Sequence, residues 1–295
     1  MENNELEIII GKIKDGYKLM SDGIKKGSKL LDEGLIALEL EKSQKEQTEQ
    51  DTKEKISTGV RRLDDMLFGG LPKGSNAFVY GPPFTGKATL LNLFIADGLK
   101  KGNPCTYILS DKSAPDVREE LEEIIPQVRG YEEKGLLKFV DAYSKSMGSK
   151  ADEPGVTYIE HNAGNFDKFS DEMYKAVENR LKDGKNHKLA LRSVSTIMAY
   201  NDIMNTFRFL QRLTFKNKSA KATALYHLDA GMFKDSEVQT LKHLMNGVIE
   251  TKSEDLRNYL RVEGLADART RGWIEYSYNN KSMSLKGTFA VDHIR

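Results

Sequence analysis

Nine consecutive residues have the spacing of a phosphate-binding loop. They read Gly81-Pro82-Pro83-Phe84-Thr85-Gly86-Lys87-Ala88-Thr89. In a loop of this pattern, glycines allow backbone N–H groups to converge on an anion, and the helix that follows directs the positive end of its dipole at the same charge. The lysine reaches the outer phosphates. The stretch therefore predicts that the protein binds a nucleotide through its phosphates.

The residue after the lysine departs from this pattern. Ser or Thr normally stands there and supplies a hydroxyl ligand to Mg²⁺, but this chain has Ala88. Thr89 comes one residue later, and because a helix turns about 100° per residue, its hydroxyl is expected to point elsewhere. The loop thus predicts phosphate binding beside an impaired metal site.

A strand and a helix must hold such a loop in place. The apolar run Ala77–Tyr80 precedes it and predicts a strand, and Leu90–Ile95 follows it and predicts a helix. Further along, strands alternate with helices and then come close together towards the C-terminus. This order is typical of an α/β fold, in which helices flank a mostly parallel sheet and an antiparallel C-terminal extension widens it.

Apolar patterning gives approximate bounds for these elements. Strands are predicted over Cys105–Leu109, Leu137–Val140, Lys188–Leu191, Ala222–Leu228, Val248–Glu250, Tyr259–Val262, Trp273–Tyr278 and Ser282–Leu285. Helices are predicted over Val117–Ile125, Lys168–Leu181, Ile203–Leu213 and Glu237–Leu244. Residues 142–164 read as one long irregular connection.

The first 55 residues have a different pattern. Residues 1–40 predict a helical segment, because apolar side chains recur at every seventh position: Ile10, Tyr17, Ile24, Leu31 and Leu38. A coiled coil or helical hairpin that mediates self-association and a single amphipathic helix lying on the domain both fit this spacing. Residues 41–55 are almost devoid of apolar side chains and predict a polar linker or a solvated continuation of the helix.

The composition describes an ordinary folded protein. The 295 residues suffice for one large domain plus an extension, and 45 Lys and Arg nearly balance 44 Asp and Glu, for a net charge of +1. No apolar run reaches membrane-spanning length, and the N-terminus is unlike a signal peptide, so we expect a cytoplasmic protein. Cys105 reads as a buried thiol, and the five histidines lack the spacing of metal ligands.

Further motifs surround the loop. Before it come Ser57-Thr58-Gly59, Leu63-Asp64 and Gly69–Gly74, and after it come Tyr107–Ser113, Ser193–Thr196, Leu244–Glu250, Tyr259–Val262 and Gly287–Arg295. In this order they resemble the RecA-superfamily ATPases of the KaiC type, and especially their single-domain archaeal relatives. The resemblance covers roughly residues 56–295. It implies a RecA-like domain that binds ATP at subunit boundaries, and hence a homo-oligomer.

The chain departs from that family at the residues that handle the metal and the attacking water. Phe84 replaces a usual glycine, which would put a bulky ring in the loop that wraps phosphate. The strand Lys188–Leu191 should end in the Walker B aspartate, but Arg192 stands there, and a guanidinium repels a divalent cation. The usual pair of glutamates is matched by Asp111-Lys112, which leaves Asp111 as the candidate general base.

A last departure concerns the contact across the subunit boundary. The Lys-Met-Arg element that the family extends to a neighbour's phosphate is matched by Glu263-Gly264-Leu265, with Arg269 and Arg271 nearby. Phosphoryl transfer depends on metal and cation stabilisation, so the combined losses predict a pseudo-ATPase with little need for Mg²⁺. The resemblance then implies a module for signal transduction that acts through an unidentified protein partner.

Two other functions stay open from the sequence. If the motifs are misaligned by one residue, the protein is a working KaiC-like ATPase. If the basic run Arg208, Arg212, Lys216, Lys218 and Lys221 meets single-stranded DNA, it is a recombination mediator, although a solvated helix face is the usual meaning of such a run. The resemblance places Asp111 and Arg192 at strand ends around the phosphate site, where open α/β sheets bind their ligands, so we expect the two residues to lie close together.

We predict that residues 1–40 help to set the oligomeric state, since a heptad-spaced apolar seam needs a partner surface to cover it. Light scattering on the full chain and on a truncated variant that begins near Thr52 tests this. The truncation should reduce the number of subunits, and equal subunit numbers at matched concentration would contradict the prediction.

Overall fold

A computed structural model gives the fold of this chain. It describes Gly11 and Lys18, both helical, and residues 54–161, 165–181, 186–265, 268 and 270–287. The chain divides into two compact units, Met1–Lys53 and Glu54–Arg295. Apart from Gly11 and Lys18, the predicted helical segment 1–40 lies outside the described residues. So does nearly all of the predicted linker 41–55, although Lys55 already belongs to a strand of the second unit.

The strands form a small sheet and a large one. A two-stranded antiparallel sheet pairs β1 (Lys55–Ile56) with β2 (Leu71–Pro72). The other strands are β3 (Asn76–Gly81), β4 (Cys105–Leu109), β5 (Leu137–Asp141), β6 (Val156–Tyr158), β7 (Lys188–Arg192), β8 (Thr223–Asp229), β9 (Gly247–Glu254), β10 (Arg257–Glu263), β11 (Ile274–Tyr278) and β12 (Met283–Leu285). They form a ten-stranded sheet in the order β12-β11-β10-β9-β3-β8-β7-β4-β5-β6.

The middle of this sheet is parallel and its C-terminal end is antiparallel. Strands β9, β3, β8, β7, β4, β5 and β6 pair in parallel, whereas β9 to β12 pair in antiparallel fashion. The predicted α/β fold is thus confirmed, including the antiparallel extension. Because parallel strands all point the same way, the ends of β3, β8, β7 and β4 meet at one edge, and this edge carries the site described below.

Helices pack on both faces of the sheet. In the described part of the chain they are α1 (Arg61–Met66), α2 (Lys87–Lys100), α3 (Ala114–Glu122), α4 (Val128–Glu133), α5 (Phe166–Leu181), α6 (Val194–Ala199), α7 (Ile203–Ser219) and α8 (Asp235–Lys242). One hydrophobic core lies on the face covered by α1 to α4, and a second lies on the face covered by α5 to α8. None of these helices is long and apolar enough to cross a membrane.

Several short elements, among them α1, β1 and β2, were not predicted from the sequence. The connection 142–164 contains a short 3₁₀-helix and the edge strand β6, whose three residues are too few to show an alternating pattern. Helices α4 and α6 have six residues each, which is also too short for a clear helical period. The longer predicted elements are confirmed with shifts of a few residues at their ends.

A buried lysine joins the entry segment of the domain to α2. Lys188 is fully buried, and its Nζ donates to the backbone oxygens of Ser57 (2.9 Å) and Phe94 (3.1 Å) and to Asp97 Oδ2 (2.7 Å). The Ser57 hydroxyl also donates to Asp97. Gly59 follows with φ +84, and a Cβ there would lie 2.4 Å from the oxygen of Leu93, so only glycine fits. These contacts explain the motif ahead of the loop, because they anchor the helix that carries Lys87.

We predict that Asp97→Asn lowers the free energy of unfolding by about 3–5 kcal/mol, because it leaves the buried Lys188 ammonium without its counter-ion. Urea unfolding measures this. The double variant Asp97→Asn with Lys188→Met should recover part of the loss, since no buried charge remains. Asp65→Asn, at an exposed position, is the control for the same change of charge. A loss below about 1 kcal/mol for Asp97→Asn would contradict a role for the pair in stability.

Candidate functional site

The predicted phosphate loop connects the end of β3 to the start of α2. Gly86 is the N-cap of α2 and has a left-handed backbone (φ +72), and its oxygen accepts the first helical hydrogen bond, from the N–H of Leu90 at 3.0 Å. A Cβ on Gly86 would lie 2.7 Å from the ring of Tyr278. Glycine is therefore required here on two grounds, and the turn directs the N-terminus of a 14-residue helix at the loop.

Two tyrosines of β11 hold the loop from behind. Tyr276 Oη donates to the backbone oxygen of Thr85 and Tyr278 Oη to that of Phe84, each at 2.5 Å. The Thr85 hydroxyl lies 2.8 Å from Thr251 Oγ1 and donates to the oxygen of Pro82 at 2.9 Å. Because its carbonyls are bonded in this way, the loop keeps one conformation without a ligand, which lowers the entropic cost of binding one.

The side chain of Phe84 corrects one expectation from the sequence. Its backbone is left-handed (φ +60), which explains why glycine is usual at this position, but its ring is 93% exposed. The ring therefore points out of the loop and does not occupy the space in which phosphate binds. Phe84 makes the protein's surface at the loop apolar and leaves the phosphate cradle open.

Lys87 is buried and already has a counter-ion. Its side chain is only 3% exposed, and Nζ lies 3.0 Å from Asp229 Oδ1 at the end of β8 and donates to the backbone oxygen of Pro82. His227 Nε2 is also 3.0 Å from Asp229 Oδ1. Burial lowers the pKa of Lys87, an effect that the charge of Asp229 opposes. Burial would raise the pKa of Asp229, but His227 and Lys87 hold it below its ordinary value.

Arg192 is the last residue of β7 and is enclosed by carboxylates. Nε lies 3.2 Å from Asp111 Oδ2, and Nη1 and Nη2 donate to Glu120 of α3 at 2.6 and 3.4 Å. Lys112 Nζ also contacts Glu120, at 2.7 Å. The predicted proximity of Asp111 and Arg192 is thus confirmed. The guanidinium fills the corner of the site in which the resemblance implied a metal-binding carboxylate.

Neighbouring polar groups complete this cluster. Asn92 of α2 donates to Glu120 Oε2 at 2.9 Å and accepts the hydroxyl of Tyr107 at 2.7 Å. Burial acts to raise the pKa of Glu120, but the hydrogen bond and charge of Arg192 outweigh it and lower the pKa to about 2. Arg192 itself has a raised pKa despite its burial. Both groups are therefore charged throughout the physiological range.

Comparison with known proteins identifies the family of this site. The sequence pattern of the family described as "ATPase: KaiC" matches residues 56–271, which is most of the chain. The chain belongs to the KaiC family of ATPases. It is accordingly a P-loop nucleotide-binding protein, and the family supplies the expectation of ATP as its ligand.

Two curated relatives match part of this KaiC-family chain. A UPF0273 protein of Pyrococcus horikoshii is 28% identical over 143 residues, which are 48% of this chain and 56% of that protein. A UPF0273 protein of Methanopyrus kandleri is 36% identical over 95 residues, 32% of this chain and 38% of that protein. The chain thus spans about half or less of the length of these curated relatives. The crystal structure of a KaiC-like protein of Pyrococcus horikoshii shares the fold, with a TM-score of 0.63 at 18% identity, over 79% of this chain and 99% of that one.

The residues of this KaiC-family site fit a phosphate chain but not Mg²⁺. The glycine turn, the N-terminus of α2 and Lys87 are all in place for phosphate. Ala88 offers no hydroxyl, and Arg192 presents a cation where a carboxylate would bind the metal. Among the described residues, no group of three or more His, Cys, Asp and Glu could hold a metal ion.

The other predicted site residues have varied positions. Gly81 ends β3, Pro82 and Pro83 lie in the turn, and Thr89 is buried on α2. The segment matching the family's cationic element has Glu263 paired with Arg261 at 2.9 Å and Leu265 buried, so it offers no cation. Arg271 is exposed, and Arg269 lies outside the described residues.

Sequence reasoning missed four residues that shape the site. Asp229 could have been found, because it is a carboxylate directly after the apolar run of β8, at the ligand edge of the sheet. Glu120 could not, because an acidic residue among charged neighbours on α3 looks like part of a solvated helix face. Tyr276 and Tyr278 alternate along β11 in the way that core-facing residues of a strand do.

We predict that Tyr276→Phe lowers the free energy of unfolding by about 1–2 kcal/mol, because it leaves the buried oxygen of Thr85 without a donor. Tyr278→Phe removes the same chemical group from a partly buried side chain whose hydrogen bond is exposed to water, and it is the matched control, with an expected loss below about 0.5 kcal/mol. Thermal or urea unfolding of both variants measures the difference. Equal losses for the two variants would show that burial of the Tyr276 contact does not matter.

Proposed function

We propose that this protein binds ATP at the phosphate loop without hydrolysing it, as a pseudo-ATPase that signals through contacts with other proteins. The observation that carries the proposal is the enclosure of Arg192 by Asp111 and Glu120. In these contacts the guanidinium of Arg192 pairs with the candidate base Asp111 and with the neighbouring carboxylate of Glu120. The buried cation of Arg192 lies against both carboxylates and repels a metal ion that would bind to them.

Retention of phosphate binding is supported by the other half of the site. Gly86, Lys87 and the N-terminus of α2 have the arrangement that a phosphate chain requires, and the tyrosines of β11 preorganise the loop. These groups act on phosphate without a metal, through backbone N–H donors, a helix dipole and one ammonium. ATP binding is therefore expected to depend little on Mg²⁺.

Loss of hydrolysis is supported by the position of Arg192 in the sheet. Its Cα pairs with that of Leu109 in the register of β7 and β4, and the next residues are Ser193 and Val194, so a shift of one residue does not supply a carboxylate. Asp111, the candidate base, accepts from Arg192 at 3.2 Å. Removing one preorganised electrostatic group typically costs about 10²–10³ in rate, and here several are missing together.

Self-association and a protein partner are part of this proposal. The family resemblance implies subunits that meet at the nucleotide site, and Phe84 gives the loop an apolar side chain that is 93% exposed. An exposed apolar ring beside a nucleotide is suited to contact a neighbouring protein surface, and this contact would change when the loop binds or releases nucleotide. The neighbour is either a second copy or a signalling partner.

Two alternative functions have less support. A working ATPase is favoured by one observation, the carboxylate of Asp229 beside Lys87, because carboxylate oxygens are ligands that Mg²⁺ prefers. Binding of single-stranded DNA along α7 is not favoured, because Arg212 pairs with Asp171 (3.1 Å) and Lys216 with Glu178 (2.9 Å) of α5. Carboxylates that neutralise a basic helix reduce its attraction for phosphate backbones.

We predict that ATP binds to the pure protein with dissociation constants in Mg²⁺ and in chelator that agree within about threefold, because the ligands that would make binding depend on the metal are missing. Isothermal titration calorimetry measures both. Lys87→Met should weaken binding by at least about tenfold, since it removes a charge-assisted hydrogen bond to phosphate. Lys101→Met, a half-exposed lysine at the other end of α2, is the control. Binding that requires Mg²⁺ would contradict the proposed site.

A further inference from the structure

Asp229 is a carboxylate at the centre of a site that binds anions. Its Oδ1 contacts both Lys87 Nζ and His227 Nε2 at 3.0 Å, and its backbone N–H donates to Ser195 Oγ at 2.7 Å. We propose that Asp229 is an internal counter-ion of the phosphate-binding lysine, which competes with phosphate for Lys87 and thereby sets a weak affinity for nucleotide. This inference rests on the proposed nucleotide-binding function.

The burial of Lys87 makes a counter-ion necessary. An ammonium group that is 3% exposed loses most of its hydration, and an unpaired buried charge is strongly unfavourable. Of its three donor hydrogens, one bonds to the oxygen of Pro82 and one to Asp229. In the ligand-free protein Asp229 therefore takes the role that a phosphate oxygen takes when nucleotide is bound.

Asp229 is held in place from its other side. His227 and Asp229 both belong to β8, and Ser195 of α6 fixes the end of that strand by accepting the N–H of Asp229. The carboxylate of Asp229 is only 17% exposed and lies on a strand end that is held in place. We therefore expect it to stay in the site when phosphate binds. Two anions that share one Nζ, each at hydrogen-bonding distance, lie within about 6 Å of each other and repel.

Such repulsion is normally offset where a divalent cation bridges carboxylate and phosphate. Here the residues around the loop do not fit Mg²⁺, and the nearby cation Arg192 is paired with Asp111 and Glu120. Lys87 is then the cation that Asp229 and the phosphates share. Nucleotide is expected to bind weakly and to exchange readily, as suits a protein that senses its concentration.

The counter-ion can be tested without nucleotide. In Asp229→Asn the buried Lys87 loses the charge that opposes the effect of burial, so its pKa should fall by at least about one unit. Incorporation of ¹³C,¹⁵N-labelled lysine, followed by NMR titration of the side-chain signals, reads this pKa without altering Nζ, and the signal is assigned by its loss in Lys87→Met. Asp65→Asn, at an exposed position of α1, is the control for charge and should leave the pKa of Lys87 unchanged. An unchanged pKa in Asp229→Asn would overturn the counter-ion role.

The competition is tested by calorimetric titration of ATP in chelator at pH 6.5, which keeps Lys87 protonated when its pKa is lowered. Asp229→Asn should bind about tenfold more tightly than the unaltered protein, because one like charge is removed from the site. Asp229→Ala, with the same expected direction, covers the case in which the asparagine variant folds poorly.

Other results of this titration have separate meanings. Equal or weaker binding by both variants would overturn the competition. If Mg²⁺ tightens binding only in the unaltered protein, Asp229 is a metal ligand and the proposal is wrong. Absence of ATP binding in the unaltered protein and both variants contradicts the proposed function and the competition together, while the lysine titration still decides whether Asp229 is the counter-ion.

Discussion

The buried guanidinium of Arg192, at the edge of the sheet where ligands bind, determines which residues must surround it. Arg192 is almost completely buried, and a buried cation is stable only with well-placed carboxylates, which here are Asp111 after β4 and Glu120 on α3. Asn92 and Tyr107 in turn orient Glu120, so the cluster ties β7, β4, α2 and α3 together. A corner of the fold that could hold a hydrated metal is instead closed by charges of the protein itself.

The phosphate half of the site has a separate basis. β8 lies between β3, which leads into the loop, and β7, which ends at Arg192. With neighbouring strands about 4.8 Å apart, the loop strand and the Arg192 strand are about 10 Å apart. The loop depends on Gly86, the tyrosines of β11 and the pair of Lys87 with Asp229, and none of these contacts involves Arg192. Phosphate binding can therefore persist although the metal corner has changed, which is the physical basis of the proposed function.

The sequence was sufficient where the signal is local. The phosphate loop and the longer strands follow from residue spacing. The proximity of Asp111 and Arg192 follows from the family resemblance, which places both residues at strand ends on the ligand edge of the sheet. The sequence was insufficient where the role of a side chain depends on the direction in which it points or on contacts with residues far away in the chain. The ring of Phe84 was expected inside the loop, but the left-handed backbone turns it outwards. Glu120 gains its role from Arg192, a partner 72 positions away in the chain, and no local pattern marks such a pair.

The central claim is that the chain retains the phosphate-binding site of its family but does not hydrolyse ATP. Steady-state release of phosphate at saturating ATP and Mg²⁺ tests it most directly, with the Lys87→Met variant measuring the background of contaminating ATPases. We predict that the two proteins release phosphate at indistinguishable rates, and that chelation of Mg²⁺ changes neither. A turnover of about 0.1–1 per second or faster that requires both Mg²⁺ and Lys87, approaching the ordinary range of enzymes, would contradict the account.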